Sequence, residues 1–307
     1  MPRREDFDVN GVNGVNGVSG VSGVNGEAPQ GFAREALLEE SAATRVFIVR
    51  REASEESGEQ ERCVCKRLST RTREDAGARR RLTDEGRLLR ALAGRGAPSW
   101  VASGGDRHGP FVIMERIDAA PLATRVGARV DPVWLARAAV ATLRALARVH
   151  EASDERGALD VVHGDVSPAN ILVHEDASRA VMVDFGLARW RDASPDARGE
   201  GVAFGGTLLY AAPEVARGER IDARADLFSM ALSFFHVASG ASPRRVALPT
   251  PALLVDAGER SVDSWLRDAR SSIALDPDLE RALVACASFD PARRPASARE
   301  ALVRAAC

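Results

Sequence analysis

Three polar residues set between short apolar runs constrain this chain more than any other feature: Asp165, Asn170 and Asp184. They stand in His163-Gly164-Asp165-Val166-Ser167-Pro168-Ala169-Asn170 and, further on, in Asp184-Phe185-Gly186. The runs Val161-Val162, Ile171-Leu172-Val173 and Val181-Met182-Val183 read as short strands, so the polar residues fall on the loops between them. A carboxylate at Asp165 can orient or accept a hydroxyl proton. Asn170, after a proline-bent turn, can offer an amide oxygen to a metal, and Asp184 supplies a hard carboxylate suited to Mg2+. Gly186 gives the backbone freedom to swing that carboxylate. Alone, Asp-Phe-Gly says little; the three polar residues with strands between them say more.

The rest of the chain divides into a strand-rich front and a helical rear. Residues 9–26 are six triplets of Val-(Asn/Ser)-Gly. Such a tract has little side chain to bury and much backbone entropy to lose, so residues 1–31 read as a low-complexity, flexible tail; docking to a regulatory partner is the alternative. Order is expected from Phe32. Val46-Phe47-Ile48-Val49 and Cys63-Val64-Cys65-Lys66 predict a strand pair joined by a polar loop containing Ser57-Gly58. Leu82, Leu88, Leu89 and Leu92 predict a helix over 79–92 that ends near Gly94. Phe111-Val112-Ile113-Met114 predicts a buried strand. Val133, Leu135, Ala139, Leu143, Leu146 and Val149 predict a helix over 132–149. After Pro213 the pattern is mostly helical, with breaks at 240–243 and 249–251.

Composition limits the function classes. The chain has 307 residues, 45% of them apolar, which allows one large domain or two lobes around a cleft. A net charge of −2 does not suggest a nucleic-acid partner, which calls for clustered Lys and Arg. No apolar run approaches the ~20 residues of a membrane span, and the N-terminus does not read as a secretory signal. The four cysteines, Cys63, Cys65, Cys286 and Cys307, fit neither a disulfide framework nor a zinc site. They read as small buried hydrophobes in a reducing cytoplasm, with Cys63 and Cys65 on one face of a strand.

With these motifs in order, the chain resembles the eukaryotic-type Ser/Thr protein kinases in their compact bacterial form, over residues 32–307. The resemblance implies an α+β, two-lobed fold, with a small antiparallel β-rich N-lobe (32–116) and a large helical C-lobe (117–307). It implies ATP and Mg2+ as cofactors and protein Ser/Thr hydroxyls as acceptors. Lys66 matches the lysine that contacts the α and β phosphates, and Glu85 the helix glutamate that pairs with it. Asp165 matches the base, and Asn170 and Asp184 the metal ligands. Met114-Glu115-Arg116-Ile117 resembles the gatekeeper and hinge, so the backbone of Glu115 and Ile117 would bind adenine. Val46, Val64, Met114 and Leu172 would line the nucleotide site. Residues 206–214 resemble the end of the activation segment. Asp226 matches the aspartate that braces the catalytic loop, and Arg294 the arginine that pairs with Glu214.

Taken singly, Lys66 would be a solvated strand lysine, Glu85 a helix surface charge, and His163 and His150 structural histidines. The Arg-rich run from Arg71 to Arg81 reads as a solvated helix face. The ordered set is what overturns the readings of Lys66 and Glu85.

Four features depart from the family pattern. The three glycine positions of the phosphate-binding loop fall on Glu39, Ser41 and Thr44, which predicts weaker ATP binding or a loop that sits differently. Gly164 stands where many kinases carry the arginine that reads an activation-loop phosphate, which predicts activity without that switch. Of the few hydroxyls between Asp184 and Glu214, Thr207 is expected to order the site. Ser167 replaces a lysine that contacts the γ-phosphate, keeping a hydrogen bond but losing a charge. Val64 replaces a smaller residue over the adenine, which tightens the roof. Two alternatives follow: a pseudokinase acting as a binding module, and a small-molecule phosphotransferase of the aminoglycoside or choline type. The second is disfavoured by Ala212-Pro213-Glu214, Asp226 and Arg294 occurring together.

Overall fold

The computed structural model describes residues 28–52, 61–194, 209–243, 258–271 and 275–305. The Val-(Asn/Ser)-Gly triplets, Ser57-Gly58, Thr207, the break at 249–251 and Cys307 lie outside the described residues.

The front of the chain is a five-stranded antiparallel sheet in the order β1-β2-β3-β5-β4. Its strands are β1 (Phe32–Glu40), β2 (Thr44–Arg51), β3 (Arg62–Leu68), β4 (Trp100–Asp106) and β5 (Gly109–Glu115). Strand alternation divides the apolar residues between two faces. Phe47, Val49, Cys63, Cys65 and Ile113 form one small buried core on one face. The pairs Val46 with Lys66, Lys66 with Val112, and Val64 with Met114 put these residues on the other face. Cys63 and Cys65 do share a buried face, as their spacing predicts.

One helix, α1 (Ala76–Leu92), crosses this second face. Asp75 caps it by accepting from the Ala78 amide, and the chain leaves it through Ala93 in the left-handed region. Helical glycine is usually unfavourable by about 1 kcal/mol relative to alanine. Gly86 has a packing reason to be there: a Cβ at this position would lie 3.0 Å from Val112 Cγ2. The missing side chain lets α1 approach β5 closely, and Glu85 is carried inward with it.

The rear is helical. Its long elements are α2 (Pro132–His150), which starts with Pro at the first turn and an Asp131 cap, and α4 (Ala223–Ser239). Short strands accompany them. β6 (Ala120–Pro121), β9 (Ile171–Val173) and β10 (Ala180–Met182) form a three-stranded sheet, and β7 (Ser153–Asp154) pairs with β8 (Gly157–Ala158). A short α3 (Pro213–Ala216) precedes α4; α5 (Gly258–Ser271), α6 (Pro277–Cys286) and α7 (Ala298–Arg304) follow it. α4 is buried nearly all round, with Leu227, Phe228, Met230, Leu232, Phe234 and Phe235 at 1% exposure or less, so it forms the centre of the rear core. It ends at Gly240 in the left-handed region, where the sequence predicts a break.

One strand expectation fails. Val161-Val162 is not a strand; Val162 makes a single bridge to Arg189. Both valines are buried, but the chain around them turns to present amide groups to Asp226 and cannot continue a ladder.

Candidate active site

The polar residues of the sequence motifs meet where the front sheet faces the helical rear. Lys66, on β3, is buried at 6% exposure. Its Nζ donates to Glu85 Oε1 and Oε2 at 3.0 and 2.8 Å and to Asp184 Oδ1 at 2.7 Å. Burial alone would push the ammonium pKa down; Asp184 and Glu85 outweigh it and hold it above its usual value. The Lys66 charge in turn holds the Asp184 carboxyl below its usual range. Glu85 is pushed up by burial, which Lys66 opposes. Glu85 also accepts from the Phe185 amide at 3.2 Å, so α1 grips the start of the segment after Asp184.

Asp184 keeps 48% of its side chain exposed, which leaves carboxylate surface for a ligand. Its backbone is left-handed, with φ of 64°, a strained setting for a non-glycine residue. The next contact helps to hold it there: the Gly186 amide donates back to Asp184 Oδ1 at 3.2 Å. A Cβ on Gly186 would lie 3.2 Å from that oxygen and 3.6 Å from both Glu85 Oε2 and Lys66 Nζ. Besides its conformational freedom, this glycine leaves room for the ion cluster.

Asp165 and Asn170 face each other across the proline turn. Asn170 Nδ2 donates to the Asp165 carbonyl at 2.9 Å and to its Oδ2 at 3.1 Å. That contact orients the carboxylate and leaves the Asn170 amide oxygen as the end able to coordinate a cation. The loop is tied to the Asp184 segment through Val183. Its amide donates to Asn170 O, and its carbonyl lies 3.0 Å from His163 Nε2. Asp226 braces the same loop, accepting from the amides of His163 and Gly164 at 2.8 and 2.9 Å. Burial would raise the Asp226 pKa, but the His150 ring, 2.8 Å away, and the Gly164 amide help keep it low. The contacts of His163 and His150 are packing and bracing ones: the first packs at a tilt against Phe185, the second orients Asp226.

Gly164 has φ of 78°, and a Cβ on it would meet the Leu187 carbonyl oxygen at 2.8 Å. Restoring arginine with Gly164→Arg is therefore expected to lower stability by at least about 1 kcal/mol, read as a lower urea midpoint at unchanged slope.

The nucleotide-lining candidates divide between the two sides. Val46 and Val64 are half-buried on the Lys66 face of the sheet, and Met114 is buried at the end of β5. Leu172 lies half-buried on β9, between the buried Ile171 and Val173. Glu115 and Ile117 flank the exit from β5, which continues without regular structure over 116–119. The Glu115 amide already donates to Ser99 O at 2.8 Å, so that donor is not open to a ligand.

The turn that replaces the glycine-rich loop is closed on itself. Ser41 Oγ accepts from the amides of Ala43 and Thr44 at 3.2 and 2.9 Å. The Ala42 and Ala43 carbonyls accept from Ser69 Oγ and Thr72 Oγ1, which pins the turn to the β3–α1 connection. Glu40 is paired with Arg45 at 3.1 Å, which offsets part of its repulsion toward a phosphate. Ser167 is buried at 1% exposure, and its Oγ has no hydrogen-bond partner among the described residues.

Among the described residues no cluster of three or more His, Cys, Asp and Glu is arranged to hold a metal by itself. An exposed carboxylate and an amide oxygen on adjoining segments would suit a Mg2+ that takes its remaining ligands from water and phosphate. The half-buried Val46, Val64 and Leu172 and the Lys66 ammonium likewise suit a purine nucleotide with anionic phosphates.

The protein kinase domain profile matches residues 52–303. The chain belongs to the protein kinase domain family. A probable serine/threonine-protein kinase of Corynebacterium efficiens is 34% identical over 143 residues, 45% of this chain and 20% of that protein. The serine/threonine-protein kinase PknB of Mycolicibacterium smegmatis is 31% identical over 134 residues, 44% of this chain and 20% of its own length. PknF of Mycobacterium tuberculosis is 38% identical over 104 residues, 33% of this chain and 22% of its own. The matched regions thus span about a fifth of these relatives. Among solved structures, the Mycobacterium tuberculosis PknI kinase domain superposes with a TM-score of 0.61 at 23% identity, covering 93% of this chain and 99% of that one. That likeness establishes the two-lobed kinase fold. Protein kinases in general use ATP and a divalent metal.

Sequence reasoning missed one group of contacts. Asp84, beside Glu85 on α1, reaches the segment after Asp184 through Ser194, and Arg87 reaches it through Trp190. No residue type or spacing announces these contacts, because each depends on where a loop returns.

Proposed function

We propose that the chain is an active Ser/Thr protein kinase that transfers the γ-phosphoryl group of ATP to serine or threonine hydroxyls of proteins. One observation carries the reading: Lys66, Glu85 and Asp184 are already assembled into a bonded cluster, and Asp165 and Asn170 are hydrogen-bonded to each other on the loop that Val183 ties to the Asp184 segment. In this reading Lys66, steadied by Glu85, holds the α and β phosphates, and Val46, Val64, Met114, Leu172 and the backbone near Glu115 and Ile117 hold adenine. Asp184 and Asn170 would hold Mg2+, which supplies charge neutralisation at the phosphates. Asp165 orients the acceptor hydroxyl and takes its proton as the oxygen attacks the γ-phosphorus. The bond from that phosphorus to the bridging oxygen breaks, and ADP leaves. Residues 32–307 form the kinase domain, and the N-terminal tail is a candidate docking element for a regulatory partner. A reducing cytoplasm is supported by the free, buried thiols of Cys63, Cys65 and Cys286. No helix among the described residues is long and apolar enough to cross a membrane.

A pseudokinase reading draws on the closed Ser41 turn and the uncharged Ser167. The small-molecule reading is not favoured, because Glu214, Arg294 and Asp226 make the contacts typical of protein kinases. The deciding experiment follows labelled γ-phosphate into a generic basic protein, with Asp165→Asn as control. Equal signal from the two would sink the kinase reading, and faster turnover of an amino-alcohol or aminoglycoside acceptor would displace it.

Nucleotide binding is tested separately. Mg-ATP at about 100 times its Kd is expected to stabilise the folded chain by about 2.7 kcal/mol, seen as a rise in Tm. Lys66→Met should lose most of that rise. An unshifted wild type would count against the assigned phosphate site.

A further inference from the structure

We propose that Asp84 is a positioning residue for phosphoryl transfer, fastening the activation-segment backbone to α1 so that Glu85 stays against Lys66 with no phosphate on the segment. This deepens the kinase reading and rests on it.

Asp84 and Glu85 are consecutive, and both are buried, at 6% and 2% exposure. Carboxylates are seldom buried without partners, and both oxygens of Asp84 are engaged. Oδ2 accepts from the Ser194 amide at 2.9 Å, and Oδ1 accepts from Arg87 Nη1 at 2.9 Å. The Arg87 guanidinium lies 5.5 Å from the centre of the Trp190 ring, and Trp190 is itself buried at 7% exposure. Trp190 and Ser194 belong to the stretch that leaves Asp184-Phe185-Gly186. The start of that stretch is therefore held to α1 at two places, by Glu85 at the Phe185 amide and by Asp84 at the Ser194 amide.

The arrangement bears on the departure at Gly164. A kinase that uses a phosphorylated segment needs a cation in the catalytic loop to receive the phosphate. Gly164 offers none, and its left-handed backbone disfavours a side chain there. The segment is instead joined to the helix by a carboxylate accepting a main-chain N–H, a charge-assisted contact that requires no modification. If α1 moved outward, Glu85 would leave Lys66, and Lys66 would be left to Asp184 alone. Asp84 opposes that motion from the adjacent position.

The test uses the full chain after phosphatase treatment, with absence of phosphate confirmed by mass spectrometry. Wild type should keep most of its turnover. Asp84→Ala should lower kcat about 10-fold or more, the scale of a hydrogen bond to a charged group, with a much smaller change in KM for ATP. Asp84→Asn retains an acceptor oxygen and should recover most of the loss. Ser194→Pro deletes the donor without touching α1 and should match Asp84→Ala. The double variant should be no worse than either single one, which a general loss of stability would not produce. Amide hydrogen exchange supplies a readout independent of catalysis: exchange over α1 and residues 187–194 should quicken in Asp84→Ala. If wild type shows no transfer, the kinase reading fails and the exchange arm alone decides this proposal. Additive losses in the double variant, unchanged exchange over α1, or loss of wild-type turnover on dephosphorylation would overturn it.

Discussion

Replacing Asp165 with asparagine is expected to lower the rate of phosphoryl transfer by at least about 100-fold, the scale of a positioned general base, while leaving the Mg-ATP thermal shift intact. The substitution keeps the shape of the side chain and a carbonyl oxygen toward Asn170, which already contacts the Asp165 backbone carbonyl at 2.9 Å. The Asp226 brace acts on the backbone of His163 and Gly164, so it does not depend on the Asp165 carboxylate. What is lost is the group that accepts the hydroxyl proton in the proposed mechanism. Initial rates at saturating Mg-ATP measure this directly. A loss in thermal midpoint as large as the loss in rate would instead assign Asp165 a structural role.

The second large effect is on stability. Arg294 is buried at 4% exposure, and its guanidinium meets Glu214 through two hydrogen bonds of 2.6 and 2.9 Å. It also donates to the carbonyls of Ser288 and Arg224, and its Cζ lies 4.8 Å from the centre of the Phe228 ring. Arg294→Ala strands the buried Glu214 carboxylate and these carbonyls together. Breaking a buried pair from one side is expected to lower stability by about 3–5 kcal/mol, a large share of the roughly 5–15 kcal/mol of a typical domain. Urea or thermal unfolding measures it. The double variant Arg294→Met with Glu214→Leu should recover most of the loss, because no unpaired charge remains. A loss under about 1 kcal/mol in Arg294→Ala would show that water reaches the pair and that its burial is not what matters. The consequence extends to catalysis: Glu214 lies in α3, at the far end of the segment that starts with Asp184-Phe185-Gly186.

The functional residues divide by how local their chemistry is. Asp165, Asn170, Asp184 and Gly186 are legible in the chain because a short loop fixes their spacing, and phosphoryl transfer admits few residue types at each place. Lys66 and Glu85 are legible only by order and resemblance, since a strand lysine and a helix glutamate are ordinarily solvated. The structure makes them a pair by burying both behind the β5–Gly86 contact. Val161-Val162 looks like a strand because its residues are apolar and β-branched; the demand of Asp226 for two adjacent amides overrides that propensity.

The sequence by itself determined a strand-rich front and a helical rear, the order of motifs and the residues with chemistry to offer, because apolar periodicity and short-range spacing are properties of the chain alone. Tertiary structure decided which of those residues touch. It set Lys66 between two carboxylates, turned the Ser41 loop onto Ser69 and Thr72, and brought Ser194 back to Asp84. Each depends on the return path of a loop or the approach of a helix to a sheet, and those distances arise only when the whole core packs.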